Sequence, residues 1–198
     1  MPQANAPCLL DARQMEAHLQ RLCREIVAVF GDDETVALLG IRTRGLHLAE
    51  RLKTMLENIL QREIPLGVLD ITLYRDDLSE LAGSPIVRPT EIPFSLKDRS
   101  VILVDDVLYT GRTTRAAINE LFDYGRPSRI LLACLVDRGS RELPYAADFV
   151  AQTLVLPDNL SLELTRSAGA ESSLVLTLVY KDENNEEDNQ DTSPTNSR

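Results

Sequence analysis

The chain has 198 residues, 43% of them hydrophobic, which suits one globular domain with a sizeable core and leaves room for a small appendage. No apolar run approaches the roughly 18 to 20 residues of a bilayer span, and MPQANAPCLL has neither the basic flank nor the apolar stretch of a secretory signal, so the expectation is a soluble cytoplasmic protein. The net charge of −10 argues against indiscriminate nucleic-acid binding, but the last 18 residues hold six acidic and two basic side chains, leaving 25 acidic against 19 basic over residues 1–180.

A helical pattern starts at Asp11, a plausible N-cap, with Met15, Leu19, Leu22 and Ile26 on one face, and should end near Gly31-Asp32. TVALLGI (35–41) reads as a short buried strand. A second helix follows Gly45, with Leu48, Leu52, Met55 and Ile59 in register, and residues 66–73 read as another strand. Residues 75–100 change character: three prolines, a Gly-Ser-Pro turn signal and several charges sustain no period, which predicts a long excursion projecting from the body, with a hairpin as one form.

VILVDD (101–106) is a strand of the buried parallel type that ends in two acids. Helical periodicity returns with Ala117, Ile118, Leu121 and Phe122 and stops at Gly125. ILLACLV (130–136) is a further buried strand, in which Cys134 is a small core residue. Strands alternating with helices indicate an α/β parallel sheet. SLVLTLVY (173–180) should be a closing strand, and the polar tail 181–198 should be disordered. Cys8, Cys23 and Cys134 are odd in number and lack CxxC spacing, which suits a reducing compartment. His18 and His47 show no metal-ligand spacing and read as helix-surface or boundary residues.

The chemistry concentrates in VILVDDVLYTGRTTRAAI. A buried strand delivers the chain to the carboxyl edge of a parallel sheet, and a tight loop through Thr110, Gly111, Arg112 and Thr113 opens a helix. The first N–H groups of a helix lack internal partners and sit at the positive end of its dipole, so a phosphate is well placed there. Asp105 and Asp106 would repel a bare polyphosphate. They make sense beside a sugar, whose vicinal hydroxyls carboxylates can accept. Acid pair and anion cradle together point to a phosphorylated ribose. The loop is neither GxxxxGK[ST] nor GxGxxG. A strand ending in acids before a threonine-capped helix is common as plain structure, so it is the whole string, rather than any one residue, that carries the reading.

That string resembles the signature by which type I phosphoribosyltransferases bind phosphoribosyl pyrophosphate (PRPP). With GIRTRG (40–45), DITLYRDDLS (70–79), GRPS (125–128) and VDRGSRELP (136–144), the chain resembles more narrowly the PyrR family, whose members are pyrimidine operon regulators and uracil phosphoribosyltransferases. The resemblance implies a parallel-sheet type I phosphoribosyltransferase fold over residues 1–180, with a flexible hood or flap at about 75–100 and a small C-terminal extension.

It also implies site residues. Thr43-Arg44-Gly45 would be the pyrophosphate loop, with Arg44 favoured over Arg42 as its cation. Arg75 would be the cation of the flap. Asp105 and Asp106 would hold the ribose hydroxyls, and Val107, Leu108, Tyr109, Thr110, Gly111, Arg112 and Thr113 the 5′-phosphate. The segment Val136-Asp137-Arg138 would lie along uracil. Arg44, Arg75 and Asp106 are thus the residues expected to carry catalysis, with Mg²⁺ on the PRPP oxygens as the implied cofactor. The implied partners are PRPP, uracil, UMP or UTP, a stem-loop of pyrimidine-operon messenger RNA, and a second copy of the chain in a homodimer or higher oligomer. Arg21, Arg24 and Arg141 could supply charge to the RNA. Where many relatives have His this chain has Ser140, and Gln20 stands where a hydroxyl residue is frequent. The alternatives are a dedicated uracil, purine or orotate phosphoribosyltransferase with no role on RNA, since the cradle reads only phosphate and ribose.

Overall fold

The computed structural model describes residues 8–31, 33–76, 87–157, 159–166 and 174–180. The expected disordered tail, and the part of the predicted flap from residue 77 to 86, lie outside them. Helix α1 (Ala12–Phe30) begins where the pattern places it: the Asp11 carboxylate accepts from Gln14 N–H, and the Gln14 side chain accepts from Asp11 N–H, a reciprocal capping box. Its buried face is Met15, Leu19, Leu22, Cys23, Ile26 and Phe30. A short strand, β1 (Cys8–Leu10), precedes it.

The main sheet contains β2 (Val36–Ile41), β3 (Leu66–Leu69), β4 (Ser100–Leu108), β5 (Arg129–Asp137) and β6 (Phe149–Thr153), all parallel, in the order β3-β2-β4-β5-β6. Both faces are covered, which is why β2 and residues Val101–Val104 of β4 are apolar at every position rather than alternating. Helices α1 and α2 (Arg44–Leu60) share one core with Ile102, Val104 and Leu135. Helix α3 (Arg112–Tyr124) packs with Leu39, Leu103 and Cys134 on the other face.

Two departures from expectation have clear causes. Strand β3 stops at Leu69 because Asp70 turns inward: its carboxylate accepts from the backbone N–H of Thr72 and starts a 3-10 turn over Thr72–Tyr74. The returning half of the predicted excursion, from residue 87 onward, does not project. Glu91 forms an antiparallel bridge with Val68, and Leu96 is buried beneath α3 and Ile71. Ile92, Phe94 and Leu96 face the core on alternate residues, a period that Pro93 disguises in the sequence.

The C-terminal strand also behaves differently. β8 (Leu174–Tyr180) closes no edge of the main sheet; it lies between β1 and β7 (Leu160–Arg166) in a separate three-stranded antiparallel sheet. Leu162, Leu164, Leu174 and Leu176 turn inward to the core shared with α1, so alternation directs Glu163 to the opposite face.

Candidate active site

The chain leaves β2 toward β3 on one side and leaves β4 toward β5 on the other, so the crevice between the carboxyl ends of β2 and β4 is the topological switch point of the sheet. Open α/β sheets bind ligands there. Thr43 and Arg44 follow β2 into this crevice, and Asp105 and Asp106 lie at the end of β4. The two sides are drawn together by Gly45: a Cβ at this position would strike the Val104 carbonyl oxygen and stand 3.1 Å from the Asp105 Cα. Absence of a side chain therefore lets α2 begin directly against the strand that carries the acids. The peptide between Arg42 and Thr43 is cis.

Asp105 is 7% exposed, and its Oδ1 accepts from the Asp106 N–H at 3.0 Å. Burial, with the negative charge of Asp106 beside it, pushes the Asp105 carboxyl well above the ordinary carboxylate range. Burial raises Asp106 as well, opposed by its hydrogen bond with Asp105 and by the charge of Arg44. The Arg44 guanidinium stands 3.9 Å from Asp106 Oδ2. It also donates to Glu163 Oε1 at 3.0 Å and to the Leu162 carbonyl at 3.4 Å, both on β7. The acid pair thus lies at the end of β4 beside the Arg44 guanidinium.

On the other side of the acids, Gly111 caps α3 with φ +92, a conformation open to glycine, and a Cβ there would crowd Tyr145 and Leu143. A cleft of about 190 Å³ is lined by Arg75, Asp76, Thr110, Arg112 and Thr113 at the amino end of that helix. Arg112 spans its mouth, with ion pairs of 2.5 Å to Asp76 and 2.6 Å to Glu142. The hydrogen bond from Arg112, with its charge, holds the Asp76 carboxyl below the usual carboxylate range. Arg115 adds a second contact to Asp76 at 3.6 Å.

The turn after β5 braces the cradle from behind. Arg138 is 5% exposed and donates to the carbonyls of Leu160 and Pro157, with its guanidinium 4.0 Å from the Tyr109 ring centroid. Its backbone N–H donates to the Leu108 carbonyl, while Glu142 and Leu143 N–H both donate to the Thr110 carbonyl. Arg141 lies among Tyr109, Gly139, Tyr145 and Asp137 rather than on an outer face. Of the cations expected to meet RNA, Arg21 donates to the carbonyls of Val150 and Ala151 and pairs with Glu25. Arg24 is exposed and makes no ion pair among the described residues.

The geometry therefore brings Thr43, Arg44, Asp105 and Asp106 to one crevice and Arg75, Thr110, Arg112 and Thr113 to an adjoining cleft, with Asp137 and Arg138 at the carboxyl end of neighbouring β5. Reading the sequence missed Glu163 and Glu142, and missed that Arg141 is a brace. The i, i+4 spacing of Asp137 and Arg141 was a usable signal for the last; for Glu163 there was none, because β7 reaches Arg44 only through the second sheet.

Comparison with known proteins settles the family. The phosphoribosyl transferase domain model matches residues 8–161. The bifunctional protein PyrR of Syntrophobacter fumaroxidans is 51% identical over 150 residues, covering 76% of this chain and 81% of the relative. That of Deinococcus radiodurans is 54% identical over 146 residues, covering 74% and 80%. The chain belongs to the PyrR family of phosphoribosyltransferases. Among solved structures, a hypoxanthine-guanine phosphoribosyltransferase of Bacillus anthracis superposes with a TM-score of 0.63 at 16% identity, covering 88% of this chain and 99% of that one. A hypoxanthine phosphoribosyltransferase of Trypanosoma cruzi gives 0.65 at 15%, covering 86% and 94%. At such identities these neighbours establish the type I fold of this PyrR-family chain, and nothing about its base.

Proposed function

We propose that this chain transfers ribose 5-phosphate from PRPP to uracil, forming UMP and diphosphate, and that with a pyrimidine nucleotide bound it regulates the pyrimidine biosynthesis operon by binding a stem-loop in its messenger RNA leader. The carrying observation is the buried Asp105–Asp106 pair set between the Arg44 crevice and the Thr110–Thr113 cleft. A sugar with an anion at each end is the ligand that uses all three.

The 5′-phosphate occupies the amino end of α3, where Thr110 and Thr113 add hydroxyl donors to those of the backbone. Ribose hydroxyls donate to Asp105 and Asp106, and the diphosphate lies toward Thr43 and Arg44. Uracil N1 gives up its proton to solvent and forms its bond to C1 of the ribose as the bond from C1 to the diphosphate oxygen breaks. Positive charge that develops on the ring is stabilised by the two acids. Negative charge gathering on the leaving diphosphate is met by Arg44, while Arg75 lines the cleft given to the 5′-phosphate. Uracil lies along Val136, Asp137 and Arg138, where backbone groups read its edges.

The oxygen-only donor pair of Asp105 and Asp106 suits Mg²⁺, and the described residues offer no group of three or more ligating side chains. Asp105 and Asp106 are the residues that would hold Mg²⁺ in the crevice, where it would supply neutralisation of diphosphate charge. For RNA, Arg24 and Arg21 are exposed cations on α1, Arg21 also pairing with Glu25; pairing two chains in a homodimer would enlarge that face. No helix of the described residues is long and apolar enough to cross a membrane, in keeping with a cytoplasmic role.

Purified protein with uracil, PRPP and Mg²⁺ should release UMP, and with hypoxanthine should release no nucleotide. Turnover of the purine alone would reject the uracil assignment. A gel shift with the operon leader RNA should strengthen on adding UMP; equal retention with and without the nucleotide would reject the regulatory half.

A further inference from the structure

We infer that Glu163 is a displaceable counter-ion for Arg44: it holds the guanidinium at the crevice and must be exchanged for diphosphate oxygens when PRPP binds, thereby weakening PRPP and diphosphate binding. This rests on the reading of Arg44 as the pyrophosphate cation. Three observations carry it. Arg44 Nη2 donates to Glu163 Oε1 at 3.0 Å, whereas Asp106 stands at 3.9 Å, so Glu163 occupies the guanidinium edge that an anion would need. The Glu163 side chain is 38% exposed against 13% for Asp106, so it is the partner with somewhere to go. Its backbone is fixed: Glu163 pairs with Thr177 in the β7–β8 ladder, and the Thr177 hydroxyl donates to the Glu163 carbonyl at 3.2 Å.

One cation facing two carboxylates presents a poor electrostatic target to a highly charged diphosphate. Withdrawal of Glu163 toward solvent frees the N–H donor that it holds and removes one of the two negative charges facing Arg44. After transfer, its return competes with the product and speeds release. Glu163 touches no reacting atom in this account; it is a positioning residue acting through Arg44. The small antiparallel sheet, otherwise remote from the chemistry, thereby sets the affinity of the site.

The test is calorimetric binding of PRPP and of inorganic diphosphate, each with Mg²⁺, to the full-length parent, Glu163→Gln, Glu163→Thr and Arg44→Ala, with steady-state kinetics alongside. A half-exposed ion pair is worth up to about 1 kcal/mol, so removing the competing charge should tighten both ligands about two- to fivefold. KM for PRPP should fall while KM for uracil stays put, a split that a merely structural role would not produce. Threonine suits the strand and serves if glutamine at this position disturbs folding. If Arg44→Ala weakens diphosphate binding but both Glu163 variants match or fall below the parent, the inference is overturned and the site reading stands. Unchanged diphosphate binding in Arg44→Ala would overturn both.

Discussion

The Arg141 guanidinium donates to the backbone carbonyl of Tyr109 at 2.7 Å, across 32 residues of sequence. The same side chain reaches Gly139, Tyr145 and Asp137, so one residue ties the turn after β5 to the loop after β4. Replacing it with alanine takes this donor from the Tyr145, Tyr109 and Gly139 carbonyls and from Asp137 Oδ2, while Asp137 Oδ1 keeps the Gly139 N–H. Arg141→Ala should cost about 2–4 kcal/mol of stability and raise KM for PRPP. Denaturant unfolding and kinetics on the same preparation check this; a variant as stable as the parent would mean that the brace is dispensable.

Asp105 should behave oppositely in stability and binding. Because its carboxyl is raised well above the ordinary 3.8 in the folded protein, the unfolded chain ionises first as pH rises. The contribution of Asp105 to stability is thus fully present below about pH 4 and is lost as pH climbs through the folded value. Asp105→Asn should remove that slope and melt higher than the parent at pH 8, while weakening PRPP by roughly 1–3 kcal/mol. Melting curves from pH 5 to 8 and calorimetry read the two effects separately.

Asp70 presents the reverse sign. Burial opposes its ionisation, but hydrogen bonds from the Thr72 side chain and N–H and from Arg88 N–H outweigh burial and hold its carboxyl below the usual value. Its stabilisation is therefore present above about pH 4 and lost as pH falls through the lowered folded value. Asp70→Asn should lose about 1–3 kcal/mol at neutral pH, because one carboxylate holds both residue 72 and residue 88. Equal unfolding midpoints at pH 7 would contradict this.

Arg24→Ala should leave melting temperature and uracil turnover unchanged, since the side chain makes no ion pair among the described residues. Its effect should fall on RNA: weaker retention of the leader, with the salt dependence of binding shallower by about one ion. Unaltered affinity would remove Arg24 from the RNA surface.

What the sequence determined by itself was whatever depends on neighbours along the chain. The capping box at Asp11, the apolar strands 36–41 and 101–104, and the loop in which Gly111 opens α3 all rest on local spacing and on conformations that only certain residues adopt. The sugar site proposed at Asp105 and Asp106 was suggested by the sequence for the same reason, because strand, acids and helix-opening loop are contiguous. Tertiary structure alone decided the rest. Whether Arg141 faces outward or inward, which acid meets Arg44, and that the chain from residue 87 returns against β3 depend on contacts between segments tens of residues apart. A charged side chain carries no local mark of its partner; the folded backbone chooses one by bringing it within hydrogen-bond reach.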